Sequence, residues 1–348
     1  MRTRHVVLFK PASRVPEIAG GSVSLVLTSP PYPMIEMWDG TFAGQDARVA
    51  TALHEQDGRK AFELMNGVLD AAWDEMDRVL VPGGIACINI GDATRSVDDH
   101  FQLYPSHARV IRHFHERGYH SLPGILWRKQ TNAPNKFMGS GMLPPGAYVT
   151  LEHEHVLVFR KGGKRVFDTP SEKRTRRESA FFWEERNAWF SDSWEFKGIA
   201  QAMARGASRT RSAAFPFELA YRLVNMFSVQ GDLVVDPFLG TGTTMLAAMA
   251  SCRHSTGVEI DKNMASAIAG NVKTIVARAN ECISSRLDAH RAFIDARIRD
   301  GKPVKYLNEF LNVPVVTAQE RDLQLHFLDS LETTGDCTYE VRYKPSIL

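Results

Sequence analysis

The stretch DLVVDPFLGTGTTMLAAMASCRHSTGVEI, residues 232–260, constrains the fold more than any other part of the chain. "DLVVD" (232–236) reads as a short buried strand, Gly240 and Gly242 follow it, "TTMLAAMASC" reads as a helix and "STGVEI" (255–260) as a second strand. A strand–turn–helix–strand unit of this kind requires a parallel sheet with the helix packed across it. The glycines permit a tight turn and close backbone approach to a ligand, whose polar groups can use the free N–H groups of the helix. No Lys-Ser/Thr pair follows, so the loop is not a P-loop, and Met245 stands where a full dinucleotide fingerprint has its third glycine. Glu259 lies near the end of the second strand, where an acid can bond both hydroxyls of a ribose. Loop and acid together predict a nucleoside-containing ligand; a bare tight turn is the competing reading.

The rest of the chain alternates in the same way. "HVVLF" (5–9), "SVSLVLT" (22–28), "IACINI" (85–90), "PGILWRK" (123–129) and "HEHVLVFRK" (153–161) read as strands. Phe62, Met65, Leu69, Trp73, Met76 and Leu80 recur at helical spacing within 60–80. "YPSHARVIRHFHERG" opens with proline and closes with glycine, the punctuation of a helix, and proline also opens a helix over 215–228. The expected fold class is α/β, a mixed but mainly parallel sheet with helices on both faces. Residues 162–212 lose this periodicity. Residues 261–300 read as helix, and 266–348 as a mainly helical extension.

One strand ends abruptly. After "VSLVL" the chain runs into Ser29-Pro30-Pro31-Tyr32, and a strand interior rejects proline because its ring removes a ladder N–H. At the carboxyl end of an α/β strand this rigid knuckle would sit where such sheets bind ligands. The Ser29 hydroxyl and the backbone carbonyls can accept hydrogen bonds from an amino group, and Tyr32 can stack on a flat ring. A purely structural Pro-Pro turn is the alternative.

Composition narrows the classes. The chain has 348 residues, 44% of them hydrophobic, enough for a large core. It has no apolar run of about 18 residues, so a membrane span is not expected and a cytoplasmic, nucleoid-associated protein is. Cys87, Cys252, Cys282 and Cys337 are scattered, which indicates neither a disulfide framework nor a zinc knuckle. The net charge of +2 says little, but residues 161–211 hold 12 Lys and Arg against 7 Asp and Glu, interleaved with Phe181, Phe182, Trp183, Trp189, Phe190 and Trp194. That pattern suits a nucleic-acid surface; a solvated face with a few core aromatics is the plainer reading.

"TSPPY", followed some 200 residues later by "FPFELAYRLVNMFSVQGDLVVDPFLGTGTT" and "GVEID", closely resembles the amino-directed DNA methyltransferases. The order, knuckle first and glycine loop last, is similar to their permuted beta class. The resemblance extends to 78–92, 125–135 and 153–165, and covers roughly residues 5–265. It implies a Rossmann-like fold of permuted motif order, with catalytic half 1–161, target-recognition segment 162–212 and cofactor half 213–265. It implies S-adenosyl-L-methionine as cofactor, held by Asp236, Pro237, Phe238, Gly240, Thr241, Gly242, Thr243 and Thr244, with Glu259 on the ribose. Phe215 and Glu218 would help close the pocket, and Ser29, Pro30, Pro31 and Tyr32 would form the catalytic site. The serine form of the tetrapeptide usually accompanies cytosine-N4 methylation in that family, with adenine N6 as the alternative. Double-stranded DNA is the implied partner, with a cognate restriction endonuclease and a second copy of the chain as further candidates. Where relatives often carry an acid after the strand preceding the knuckle, this chain has Lys10, and Asp92 is a candidate substitute.

In such chemistry the Ser29 hydroxyl and the Pro30 carbonyl would accept the two N–H bonds of an exocyclic amino group, freeing its lone pair for attack. The base would be flipped from the duplex onto Tyr32, under the long loop after the knuckle, with Trp38 a candidate contact. C5-cytosine chemistry is disfavoured, since no cysteine follows a proline in such a loop. Glu152-His153-Glu154-His155 invites a metal reading, but without a third ligand at meaningful spacing no metal is expected, and strand packing or DNA contact is favoured. A non-catalytic DNA-binding relative of the fold is the reading from another class. An RNA substrate stays open.

Overall fold

The computed structural model describes residues 1–129, 138–196 and 215–345. Ten strands form one sheet: β1 (Arg2–Phe9), β2 (Val23–Thr28), β3 (Leu80–Ile90), β4 (His120–Arg128), β5 (His153–Arg160), β6 (Ser193–Glu195), β7 (Leu233–Asp236), β8 (His254–Glu259), β9 (His326–Gly335) and β10 (Thr338–Pro345). Their spatial order is β6-β4-β5-β3-β2-β7-β8-β1-β10-β9. The five strands from β3 to β1 are all parallel, whereas β5 runs antiparallel to both β3 and β4, and β10 antiparallel to β1 and β9.

Strand β2 is buried along its whole length, the pattern of a strand covered on both faces. Leu25 and Leu27 face one core; Val23 and Val26 face the other. Strand β3 repeats this, with Ile85 and Cys87 on the first side and Ala86, Ile88 and Ile90 on the second. The second side is covered by helices α1 (Asp39–Ala43), α2 (Arg48–His54), α3 (Gly58–Val79) and α4 (Ser106–Glu116). Helix α3 starts at Asp57, whose carboxylate accepts from the Lys60 N–H, and buries Phe62, Met65, Leu69, Trp73 and Met76. Each such side chain contributes about 1.5–3 kcal/mol on leaving water.

The chain between β5 and β7 holds α5 (Pro170–Glu178) and α6 (Trp183–Trp189). The first core is covered by α7 (Phe217–Phe227), α8 (Thr243–Ala250), α9 (Ala265–Lys273) and α10 (Ile275–Arg299).

The C-terminal extension is helical only as far as Arg299. Beyond it, Tyr306–Asn308 pairs with Val313–Val315, and β9 and β10 then extend the main sheet past β1, with Arg2 opposite Arg342 and His5 opposite Tyr339. These strands carry few apolar residues on their outer face, so only the long-range pairing with β1 distinguishes them from loop.

The segment expected to be a basic, aromatic recognition surface keeps most of its charged residues exposed where it is described, but three of its aromatics are drawn into the core. Phe182, Trp189 and Trp194 are buried; only Trp183 and Phe190 keep substantial exposure. Phe182 stacks on His290 of α10 at 3.8 Å, and Arg286 makes a bidentate pair with Glu185 at 2.6 and 2.7 Å. The aromatics serve packing because α5 and α6 dock on α10 and on the 317–324 turn. Residues 197–212 of that segment, and 130–135 of the earlier motif match, lie outside the described residues.

Candidate functional site

From β7 the chain crosses to β8 in one direction, and from β2 it crosses to β3 in the other. The crevice beyond the carboxyl ends of β2 and β7 is therefore the switch point at which open α/β sheets bind ligands. Ser29 leaves β2 on one side of it and Pro237 leaves β7 on the other, so the two motifs, some 200 residues apart in sequence, meet across adjacent strands. A cleft of about 950 Å³, counted to its open mouth, lies there. Ser29 and Pro31 line it together with Asp236, Pro237, Phe238, Gly240, Thr241, Thr243, Glu259 and Phe215.

Asp236 ties the two halves together. It is 3% exposed, and its carboxylate accepts from Thr28 Oγ1 at 2.6 Å, Thr244 Oγ1 at 2.6 Å and the Phe238 N–H at 3.0 Å. Burial pushes its titration up to about 6 in spite of those donors. The carboxylate thus fixes the last residue of β2, the glycine loop and the first turn of α8 at once. Thr244 is buried in this role, which explains why it does not face the cleft.

The loop has the conformation its glycines permit. Gly240 has φ +55° and Gly242, the residue capping α8, has φ +91°. No side chain caps α8, so its first N–H groups remain for a ligand. The Glu259 carboxylate accepts from the Gly240 and Asp261 N–H groups, both at 2.8 Å, and so sits beside the loop at the end of β8. Phe238 stands edge-on to Trp73, with ring centroids 5.5 Å apart. Donors at the helix end, an acid beside them and an aromatic wall fit the nucleoside and amino-acid parts of S-adenosyl-L-methionine.

Besides Thr244, the expected residues Pro30, Tyr32, Gly242, Glu218 and Asp92 are off the cleft lining, Pro30 being buried. Glu218 does not line the cleft; it occupies the first turn of α7 on the outer face and pairs with Arg222 one turn on. Asp92 does not line it either. It accepts from the His107 N–H at 3.1 Å and pairs with His107 Nδ1 at 2.7 Å. Lys10 does line the cleft, and its ammonium pairs with Glu17 at 2.9 Å. Trp38, Thr41 and Gln45 bring the loop after the knuckle onto the same cleft, and a two-pronged Arg95–Asp39 pair anchors that loop to the hairpin Ala93–Val97/His100–Tyr104.

His155 stacks on His107 with centroids 4.1 Å apart and planes 17° apart. Rings held so nearly parallel aim their in-plane lone pairs side by side, and burial together with the His107 charge holds His155 below the usual histidine range. Asp92, His107 and His155 offer ligand-type atoms within 4.8 Å of one another, a grouping the sequence spacing did not suggest.

Tyr32 is outside the cleft lining and half-buried, with its ring against Gly91, where a Cβ would come within 2.8 Å of the ring. Its hydroxyl is 3.1 Å from Ser29 Oγ and accepts from Asn89 Nδ2 at 3.0 Å. Asn89 Nδ2 also donates to Glu154 at 2.6 Å, and Glu154 pairs with Lys129. Burial first, and then the Glu154 charge, push the Tyr32 phenol well above its usual range, so it stays protonated. Sequence reasoning did not find Asn89. Its one signal was a polar residue inside the apolar strand "IACINI".

A mixed, mainly parallel α/β sheet that brings a glycine loop and the Ser29–Tyr32 knuckle to its switch-point cleft fits a group-transfer enzyme with a nucleoside cofactor. A family model described as DNA methylase, of the N6/N4 methyltransferase type, matches residues 23–270. The Type II methyltransferase M.MthZI of Methanothermobacter thermautotrophicus is 47% identical over 346 residues, covering 99% of this chain and 96% of that protein. M.MjaI of Methanocaldococcus jannaschii, also a Type II methyltransferase, is 48% identical over 273 residues, 75% of this chain and 89% of that one. Among solved structures, TTHA0409 of Thermus thermophilus complexed with S-adenosyl-L-methionine superposes with a TM-score of 0.60 at 29% identity, over 79% of this chain and 94% of that one. The chain belongs to the N6/N4 DNA methylase family. It is an S-adenosylmethionine-dependent DNA methyltransferase. Among the described residues no helix is long and apolar enough to cross a membrane.

Proposed function

We propose that the chain methylates the exocyclic N4 of cytosine in double-stranded DNA, as the modification half of a restriction–modification pair. The observation that carries this reading is a serine, rather than a carboxamide or carboxylate, at the head of the knuckle in the cleft that also holds the glycine loop. The Type II designation of the relatives supports the pairing with an endonuclease.

S-adenosylmethionine supplies a methyl group made electrophilic by the adjoining sulfonium. The α8 N-terminus, Gly240, Thr241 and Glu259 hold it, and Phe238 and Phe215 form its apolar walls. The target cytosine leaves the helix stack, because an amino group inside a duplex cannot reach the bottom of a cleft. Tyr32, beside the cleft rather than lining it, is assigned to stack on the flipped ring where that ring reaches past Ser29. Ser29 Oγ and the Pro30 carbonyl accept the two amino N–H bonds, which turns the nitrogen lone pair toward the cofactor side of the cleft. Orientation of this kind can supply about 7–11 kcal/mol of the barrier reduction. The same two oxygens stabilise positive charge developing on nitrogen. The exposed cations of α5 and the residues that follow are assigned to target recognition.

Mass analysis of nucleosides from DNA treated with the protein and deuteriomethyl cofactor tests the reading. Labelled N4-methylcytosine is expected; labelled N6-methyladenine would replace cytosine with adenine as substrate.

A further inference from the structure

We propose that the exposed Met142-Leu143 tip of the arm between β4 and β5 enters the base stack of the duplex and fills the gap left by the flipped target base. The proposal rests on the reading of amino methylation with base flipping. It concerns residues that lie between the stretches 125–135 and 153–165 carrying the motif resemblance.

Topology sets the arm on the ligand-binding edge of the sheet. Strands β3 and β4 both run antiparallel to β5, so they are parallel to each other and their carboxyl ends share one edge. Strand β2 is parallel to β3, so the knuckle leaves the sheet at that same edge. The chain leaves β4 at Arg128 and enters β5 at His153, and the segment between them therefore rises beside the cleft. Its root is fastened there. The Lys129 N–H donates to the Glu152 carbonyl at 2.8 Å, and the Lys129 ammonium pairs with Glu154. Asn89 donates both to Glu154 at 2.6 Å and to the Tyr32 hydroxyl at 3.0 Å, so one asparagine joins the root of the arm to the knuckle.

Farther out the arm folds back on itself. Met138–Gly139 pairs with Ala147–Tyr148, the Ser140 N–H donates to the Gly146 carbonyl at 2.9 Å, and Ser140 Oγ donates to the Leu143 carbonyl at 2.5 Å. Gly139 has φ +71°, and a Cβ there would run into the Gly146 carbonyl. Met142 and Leu143 stand at the head of this closed turn. Tyr148 stacks on Phe101 with centroids 4.5 Å apart and planes 12° apart. Phe101 belongs to the hairpin that the Arg95–Asp39 pair ties to the loop carrying Trp38, Thr41 and Gln45. The arm is thus braced against one wall of the cleft.

The chemistry of the tip selects its occupant. Val149, Met142 and Leu143 are 85%, 83% and 71% exposed, the highest values among the large apolar side chains of the described residues, and all three are on this arm. Single exposed apolar residues are ordinary, but a group of them on one projection beside a ligand cleft marks a contact surface. A phosphate backbone offers such groups nothing, whereas the interior of the base stack does; Met and Leu are among the side chains that proteins insert between base steps. A base turned out of the duplex leaves its neighbours unstacked. An apolar group in its place restores their contacts and hinders the base from returning. The hairpin Ala93–Val97/His100–Tyr104 is the neighbouring projection, and its turn carries exposed Asp98 and Asp99, which phosphates repel. A second copy of the chain seated on the arm would stand between the duplex and Ser29. The duplex is therefore the occupant.

The test combines Met142→Ser with Leu143→Ser in the full chain. Both side chains are exposed, so the fold should be kept, and calorimetric cofactor binding checks this. Single-turnover methyl transfer is measured on two duplexes bearing the site mapped in methylated host DNA, one fully paired and one with an abasic residue opposite the target base. The double variant should lose at least about tenfold on the paired duplex and stay within about threefold of wild type where the target is already unpaired. Combining Met142→Leu with Leu143→Met keeps an apolar tip and should hold the paired rate within about threefold of wild type. Equal losses of the serine variant on both duplexes would overturn the proposal by making the tip a general DNA contact, and an unchanged paired rate would overturn it outright. In sedimentation, self-association of the wild type that the serine variant loses, with an unchanged paired rate, would assign the tip to a second copy. A wild type that places no methyl on an amino nitrogen of either duplex would refute the preceding functional reading, and the wedge with it.

Discussion

Replacing Thr28 by valine tests the joint between the two halves of the site. Thr28 is fully buried at the end of β2 and donates to Asp236 at 2.6 Å, and valine keeps its shape without the donor. A hydrogen bond to a buried charge is worth about 1.5–3 kcal/mol. Asp236 already titrates near 6, which amounts to about 3 kcal/mol of strain on its ionised form relative to a free aspartate. The sign follows from which state holds the proton. Between the unfolded value near 4 and the folded value near 6 the native state holds a proton that the unfolded chain has lost, so this group's contribution falls as pH rises through that window and is flat above it. Removing the Thr28 donor raises the folded value further, by one to two units if the whole bond energy is expressed, at about 1.4 kcal/mol per unit. Thr28→Val should therefore destabilise by about 1.5–3 kcal/mol at pH 8 and by clearly less at pH 5, where Asp236 is already protonated. Urea or thermal unfolding of both proteins at the two pH values measures this. An equal loss at both, or none at pH 8, would show that Asp236 is not the charged joint inferred here.

Three further outcomes are expected. Glu259→Gln should weaken S-adenosylmethionine binding about 10–100-fold by calorimetry, since it replaces the charged acceptor proposed for the ribose with a neutral one. Gly242→Ala meets only ordinary contacts, the nearest being Met245 Cε at 3.4 Å, but forces a side chain to φ +91°. It should cost about 1–2 kcal/mol in thermal stability and weaken cofactor binding. Arg286→Met leaves the partly buried Glu185 with only the Phe182 N–H, so it should destabilise by about 1.5–3 kcal/mol in chemical denaturation and loosen α6 from α10, seen as faster amide exchange at Trp189.

Much of the sheet was legible because its central strands are short, apolar and followed by glycine or proline. Val23–Thr28, Leu233–Asp236 and His254–Glu259 fall within a residue or two of the sequence reading. The knuckle and the glycine loop were also legible, and what brings them together is the placement of β7 beside β2. The hairpin Ala93–Val97/His100–Tyr104 was missed. Its turn residues Asp98 and Asp99 both take positive φ, a conformation that two adjacent aspartates only weakly announce. The strands β9 and β10 were read as helical extension because polar side chains dominate them and their partner, β1, is over 300 residues away in sequence. Glu154 packs within the sheet, one of the two readings the sequence favoured, but its partners were hidden for a similar reason. Its neighbours Asn89, Tyr32 and Lys129 come from three separate segments, and only the register of β5 against β3 and β4 collects them. Among the aromatics of 181–194, composition could not tell surface from core: the docking of α6 on α10 buries Phe182, Trp189 and Trp194 and leaves Trp183 and Phe190 exposed.

That docking also changes how target recognition is best probed. Excising 162–212 would strip Phe182, Trp189 and Trp194 from the core, so loss of DNA binding would report unfolding. Substituting exposed Lys173, Arg174 and Arg176 of α5 by alanine leaves the packing intact and tests the surface itself.

Central to the mechanism is a division of labour on one cleft, with the glycine loop holding the cofactor and the knuckle acting on the amino group. Ser29→Ala, followed by two separate readouts, probes that division. The cofactor dissociation constant should stay within about twofold of wild type, because Ser29 contributes no bond to the loop, while the single-turnover methylation rate should fall at least about 100-fold, the scale of losing one preorganised charge-stabilising contact. A Ser29→Ala variant that binds cofactor normally and methylates DNA at the wild-type rate would contradict it.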